Sequence, residues 1–257
     1  MKPKQSSSPA IDGDAVVREA LRTLGASRRR FLRHTLTLGG LSMLTGCAIV
    51  DEESVESALL AVSRLNDRAQ AALFDPSRLA PTYPDSMITR PFPFNAYYGE
   101  SEIRRVDGEA FRLEVTGKVA DKRPWTLAQL QALPQAQQVT RHICVEGWSA
   151  IGKWEGVPFA EFLRRIGADT GAKYVAFKCA DDYHTSIDMP TALHPQTLLT
   201  LRYDGQTLPA EYGFPLKLRM PTKLGYKNPK HIQAITITNS YPGGYWEDQG
   251  YNWFGGS

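Results

Sequence analysis

The chain has 257 residues, 42% hydrophobic, 10% aromatic and 22% charged, the make-up of one large or two small globular domains. Its net charge of +3 is concentrated at one end. Residues 1–46 hold eight Lys/Arg against three Asp/Glu, and the remainder sits at about −2, which excludes electrostatically driven nucleic-acid binding. Three cysteines (Cys47, Cys144, Cys179) exclude a disulfide framework, and no run of about 20 apolar residues offers an ordinary membrane span.

In chain order, residues 14–24 have helical spacing (Val16, Ala20, Leu21, Leu24) and read as a mobile extension. Ser27-Arg28-Arg29-Arg30-Phe31-Leu32-Arg33 matches the twin-arginine export signature, and the uncharged segment 35–46 after it has the length of a signal-peptide core. Leu44-Thr45-Gly46-Cys47 resembles a lipoprotein cleavage box, with Cys47 as a possible lipid anchor and a plain signal peptide as the alternative. Residues 1–46 therefore read as a leader and the protein as periplasmic.

Residues 51–74 spell a polar helix with a thin apolar stripe (Val55, Leu59, Val62, Leu65, Ala69, Leu73), and residues 75–94, with five prolines, an extended linker. The helix and linker make a second segment, 47–94, ahead of a domain at 95–257. In that domain residues 111–115 alternate as a half-buried strand ending at Gly117, and Thr126 N-caps a short helix reaching Leu133. Residues 138–144 form a strand that delivers Cys144 to a Glu146-Gly147-Trp148 loop, and residues 158–166 an amphipathic helix. Further strands fall at 174–177, 198–203 and 232–238, with 181–185 a polar, aromatic loop. Strands outnumber helices: an irregular α+β domain with its chemistry on loops.

Cys144 follows Arg141 and His142, and cationic neighbours lower a thiol's pKa and favour the thiolate. On these residues alone three readings stay open: a buried core thiol, a nucleophile paired with histidine, or a metal ligand.

Arg141-His142-Ile143-Cys144-Val145-Glu146-Gly147-Trp148-Ser149, followed by Trp154-Glu155-Gly156-Val157-Pro158, resembles the molybdenum-ligand segment of the sulfite oxidase superfamily, in its periplasmic methionine sulfoxide reductase branch. Three further blocks agree in order: 173–177, 193–199, and a pterin-binding run from Gly213 through Lys217, Pro221, Lys227 and Lys230. The resemblance covers about residues 92–240. It implies a sulfite oxidase-type molybdopterin-binding fold of irregular mixed sheets with short helices, a mononuclear molybdenum with a single pyranopterin, and Cys144 as the protein's sulfur ligand. Asn95, Tyr98, Gly99, Cys179, Tyr212, Lys217, Asn228, Pro229 and Lys230 fall at cofactor-binding positions. The pterin phosphate needs cations and N–H donors, which Lys217, Lys227, Lys230 and the Asn228-Pro229 turn can offer. Arg141, His142, Tyr183 and His184 are candidates for catalysis, the last two by orienting a substrate oxygen.

Three positions depart from the pattern: Lys217 stands for an arginine, Cys179 for a threonine, and Ile143 for an arginine. The expected reaction is oxygen-atom transfer on a small or protein-bound S-oxide, with sulfite oxidation as the alternative and a cofactor-free exported binding protein as the alternative of another class. Lacking a haem motif, the chain is expected to take electrons from a separate partner, a membrane haem subunit or a c-type cytochrome, and to be a monomer.

Overall fold

The computed structural model describes residues 52–257, with side chains described from Leu59 onward. The leader, the 14–24 segment and Cys47 lie outside the described residues. Helix α1 spans Glu52–Leu73, and Leu59, Val62 and Leu73 of its apolar stripe are exposed. The chain divides into two compact units between Ala69 and Gln70, inside this helix. The second unit, Gln70–Ser257, carries the rest of the fold.

Its strands are β1 (Arg112–Gly117), β2 (Trp125–Thr126), β3 (Ala136–Ile143), β4 (Ser149–Pro158), β5 (Tyr174–Cys179), β6 (His184–Asp188), β7 (Leu198–Tyr203), β8 (Gln206–Thr207), β9 (Lys217–Arg219) and β10 (Ile232–Thr238). One sheet runs β2-β1-β10-β5-β6; the other runs β3-β4-β7-β8, with β9 beside β7. Only β1 and β10 pair in parallel. Short helices α2 (Leu127–Gln131), α3 (Phe159–Arg165) and α4 (Met189–Ala192) connect the strands.

The local reasons are visible in the residues. Thr126 and Gln129 form a reciprocal capping box at α2, whose end falls short of Leu133 because Pro134 disfavours helical backbone before it. Phe159, Phe162 and Leu163 turn one face of α3 into a core shared by both sheets, with Leu113, Val175 and Leu199 opposite. Phe92, Ala150, Trp154, Tyr203 and Leu208 make a second, smaller core.

Residues 181–185 are not all loop. His184 opens β6, which pairs along β5 and buries Thr185 and Ser186, polar residues that hide the strand from a hydrophobic pattern. Nor does the 75–94 linker stand apart from the domain. Thr82 bridges Thr140, Tyr83 N–H donates to the Val139 carbonyl (3.0 Å), and Thr89 N–H to Ile151 (2.9 Å). Through Thr82 and Tyr83 the linker covers the outer edge of β3, a backbone edge that would otherwise be open to pairing, and through Thr89 it reaches Ile151 on β4.

Candidate active site

Along β3 the side chains alternate, with Thr140 and His142 buried and Arg141 exposed. Cys144 follows directly and is pinned on both sides. Its N–H donates to the Trp148 carbonyl (2.9 Å), and its own carbonyl accepts from Gly147 N–H (3.2 Å). Gly147 closes this turn at φ 93°, a left-handed conformation open to glycine at no steric cost.

The thiol is buried, at 6% exposure. Asn95 Nδ2 donates to Sγ at 3.2 Å, and Glu146 Oε2 lies 3.6 Å away, itself accepting from the Trp148 indole (3.0 Å). Burial pushes the Cys144 thiol up, opposed by the Glu146 backbone and reinforced by the Glu146 carboxylate. The expected lowering by Arg141 and His142 does not occur. Arg141 leaves the opposite side of the strand to line a separate cavity of about 480 Å³ with Ile143, and His142 is driven towards its neutral form by burial.

Cys144 faces a cavity of about 300 Å³ whose walls include Asn95, Glu146, Asp181, Tyr183, the 225–230 loop and Trp246. Gly225 lets that loop approach closely, since a Cβ there would meet His142 Nε2 at 2.7 Å and Asn95 Nδ2 at 3.2 Å.

Behind the loop lies a cluster of buried cationic groups: His142, Lys217, Arg219 and Lys230. Lys217 and Arg219, two apart on β9, both sit over the Trp154 ring at 5.8 Å. Arg219 donates to Asn228 Oδ1 (3.3 Å), Thr140 Oγ1 (3.2 Å) and the Arg141 carbonyl (2.7 Å), while its Nε has no partner. Lys217 Nζ donates to the Asn228 carbonyl (3.2 Å), and Lys230 Nζ to that of Glu211 (2.6 Å). Both ring nitrogens of His142 lack partners.

Among the described residues none of the four makes an ion pair. Burial, with mutual repulsion added for His142 and Lys217, pushes every one down: Lys217 well below the usual lysine range, Lys230 to about 8, Arg219 to about 9. Burying like charges without a counter-charge is costly, and such a cluster is suited to an anion.

Of the other expected site residues, Asn228 and Pro229 line the cavity, but the backbone of their turn is already used: Asn228 N–H donates to Gly225 (3.0 Å), and the Pro229 carbonyl accepts from Leu218 (3.0 Å). Tyr98 donates to Asp181 Oδ2 (3.1 Å), and Gly99 caps an exposed turn at Glu100–Glu102. Cys179 is a free, buried thiol. Tyr212 donates to the Phe92 carbonyl (2.9 Å) and packs with Trp154. Tyr183 lines the cavity but directs its hydroxyl to the Tyr226 carbonyl (2.5 Å), and His184 lies near Asp248 (3.3 Å) outside the lining. Lys227 is turned away into a buried ion pair with Glu247. Sequence reasoning missed Arg219, for which the two-residue period from Lys217 along a strand is the signal, while Asp181 and Trp246 do line the cavity.

The mixed two-sheet fold thus sets a buried thiol near a cluster of buried cations suited to an anionic group. Residues 100–246 match the oxidoreductase molybdopterin binding domain, over more than half of the chain. A protein of Azospira oryzae named as a protein-methionine-sulfoxide reductase subunit, YedZ1, is 70% identical over the full length of both chains. The protein-methionine-sulfoxide reductase catalytic subunit MsrP of Burkholderia mallei is 29% identical over 98% of this chain and 82% of that one. Among solved structures, the sulfane dehydrogenase SoxCD of Paracoccus pantotrophus superposes with a TM-score of 0.51 at 18% identity, over 54% of this chain and 40% of that one. The chain belongs to the molybdopterin-binding oxidoreductase family. It is an enzyme of sulfite oxidase-type fold with a molybdenum–pterin cofactor.

Proposed function

We propose that the enzyme reduces S-oxides of the methionine sulfoxide type at a mononuclear molybdenum with a single pyranopterin, and that Cys144 is its protein ligand. The observation that carries this is one cavity bordered by both the buried thiol and Lys230, a member of the cation cluster that makes no ion pair among the described residues. The residues present fit the group: His142 and Arg219 leave buried donors without partners, and Asn95 donates to the thiol at the cavity's edge. The full-length similarity to a chain named for methionine sulfoxide reduction supports the substrate class.

Lys217, Arg219 and Lys230, ordered by Asn228, would hold the phosphate. Asn95, Tyr98, Gly99 and Pro229 would border the pterin, with Cys179 and Tyr212 acting from behind the wall. When bound, the group supplies two-electron chemistry at a soft, thiolate-ligated metal. Reduction breaks the substrate's S–O bond, takes up two electrons and two protons, and releases the oxygen as water. Glu146 and Asp181 are the carboxyl groups of the lining. Tyr183 and His184 engage Tyr226 and Asp248, and we assign them to holding the wall. Electrons come from a separate partner, a membrane haem subunit or a c-type cytochrome.

The 27–33 arginine motif supports export of the folded, loaded protein to the periplasm, and Cys47 its anchoring there, with the catalytic unit a monomer. The test is metal and pterin analysis of wild type and Cys144→Ser, with a panel of S-oxides and sulfite under artificial donors and acceptors. The reading expects molybdenum and S-oxide reduction in wild type, and loss of both in the variant. A Cys144→Ser protein with full metal and activity sinks the ligand assignment; sulfite oxidation without S-oxide reduction sinks the reaction.

A further inference from the structure

Ile143 and Cys144 are joined by a peptide bond yet line different cavities, Ile143 the rear one of about 480 Å³ and Cys144 the one at the thiol. From Sγ the covalent path runs through Cβ, Cα and the nitrogen of Cys144 to the carbonyl carbon and Cα of Ile143. Electrons tunnel farther along covalent bonds than across gaps. The rear cavity is therefore coupled to the thiol, although the two cavities share no lining residue.

The rear lining is apolar and firmly held. Phe74 and Phe254 meet edge to face at 5.6 Å and line it with Ile143 and Leu79. His194 Nε2 donates to the Arg78 carbonyl (3.1 Å), while Gln196 accepts from Ala80 N–H (2.7 Å) and donates to the Ala80 carbonyl (3.0 Å). On this fastened backbone Leu79 is 58% exposed. Arg78 and Arg141 of the same lining are exposed too, and neither makes an ion pair among the described residues. Exposed apolar surface flanked by arginines on rigid backbone is a docking feature.

Charge separates the two cavities. The thiol's lining carries Glu146 and Asp181 against one buried lysine, Lys230. The rear lining carries Arg78 and Arg141 against Asp75, whose carboxylate already accepts from the Ser77 N–H (2.9 Å) and hydroxyl (2.6 Å). The rear face thus suits an apolar group bearing carboxylates, and the thiol's cavity does not. A haem edge, an apolar ring with propionates, has that chemistry. Docked at the rear, it leaves the thiol's cavity free for the S-oxide.

We propose that the rear cavity receives the haem edge of the electron-transfer partner, with its propionates on Arg78 and Arg141, and that electrons enter through the Ile143–Cys144 peptide. This rests on the reading of Cys144 as the metal's ligand and adds the face at which the partner binds. Two ferrous haems are oxidised to ferric for each S–O bond broken. Their electrons pass singly along this path, and the two protons that complete the water come from solvent.

The test uses molybdenum-loaded protein and a c-type haem octapeptide, whose ring edge and propionates are exposed. The ferric form measures binding, and the ferrous form serves as electron donor beside a reduced viologen. Wild type should bind the peptide and oxidise two ferrous peptides per S-oxide reduced. Arg78→Glu and Leu79→Glu should each weaken binding and raise the peptide KM about tenfold, with viologen-driven turnover changed by less than about twofold. Lys122→Glu, the same charge change at an exposed residue outside both linings, should alter neither. Unchanged peptide affinity in Arg78→Glu and Leu79→Glu overturns the proposal, as does an equal loss in Lys122→Glu or an equal fall with viologen. Wild type that turns over with viologen but neither binds nor oxidises the peptide overturns it as well. Wild type that binds the peptide, loses that binding in Arg78→Glu, and reduces no S-oxide with either donor overturns the reductase reading instead.

Discussion

The second compact unit buries cations in two different ways. Lys227 is matched by Glu247, both side chains almost fully buried at 1% and 0% exposure, with the Ser186 carbonyl accepting at 2.7 Å. Lys223 donates to the Phe254 carbonyl (2.8 Å) and lies 3.0 Å from the centre of that ring. Across the cavity wall, His142, Lys217, Arg219 and Lys230 share one neighbourhood without a paired carboxylate. The first pair holds the C-terminal segment in place. The second group carries a larger burial penalty, which Asp181 and Glu211 offset only in part, and an anion at the site would offset it further. Burial alone therefore does not distinguish a structural lysine from a binding one; the counter-charge does.

Four changes break or sharpen this contrast. Lys227→Met leaves Glu247 buried without its counter-charge, held only by the Thr185 hydroxyl, and should destabilise the protein by about 3–5 kcal/mol in denaturant unfolding. Lys230 behaves in the opposite sense. Its folded pKa, about 8, lies below the unfolded 10.5, so the unfolded chain holds the proton more tightly. The penalty is complete below pH 8 and fades as pH rises to 10.5, so the cofactor-free protein gains up to about 3 kcal/mol across that window, a gain that Lys230→Met abolishes. Unfolding curves of the two apo-proteins at stepped pH measure the difference.

Arg219→Met should leave apo-protein stability near wild type while weakening pterin retention about a hundredfold, read by fluorescence of the released, oxidised pterin after dilution. Lys223→Met gives the smallest effect, about 1 kcal/mol or a little more, as one hydrogen bond and one cation–π contact are lost. A large loss of cofactor in that variant would erase the distinction between the two groups.

Much of the fold was legible because the pattern-bearing strands carry their apolar residues where period two requires them, as in 111–115 and 232–238. Strand β6 was not, since Thr185 and Ser186 are buried for hydrogen bonding, and a buried polar strand reads as loop. Strand β4 was obscured by Gly152 and Gly156, which let neighbouring backbone and rings approach but interrupt a propensity argument. At the site, Cys144, Asn95 and Lys230, expected from the order of the motifs, and Tyr183, expected from its polar, aromatic loop, line one cavity. Arg141, three residues before the thiol in the same motif, lines the other cavity because side chains alternate along β3. Asp181 shares the loop of Tyr183 and Trp246 comes from the C-terminal segment, and the fold brings both to the thiol's cavity.

Strand β3 presents His142 to one side and Arg141 with Ile143 to the other, and the Arg141 side borders a cavity that shares no lining residue with the one at the thiol. A partition one strand thick divides the molecule there. Substitutions on the Arg141 side can reshape what the rear cavity accepts without touching an atom that faces the thiol. Arg219 ties the cluster to this strand through the Arg141 carbonyl and the Thr140 hydroxyl. Two binding surfaces can thus diverge independently on a single strand, provided its backbone stays where Arg219 holds it.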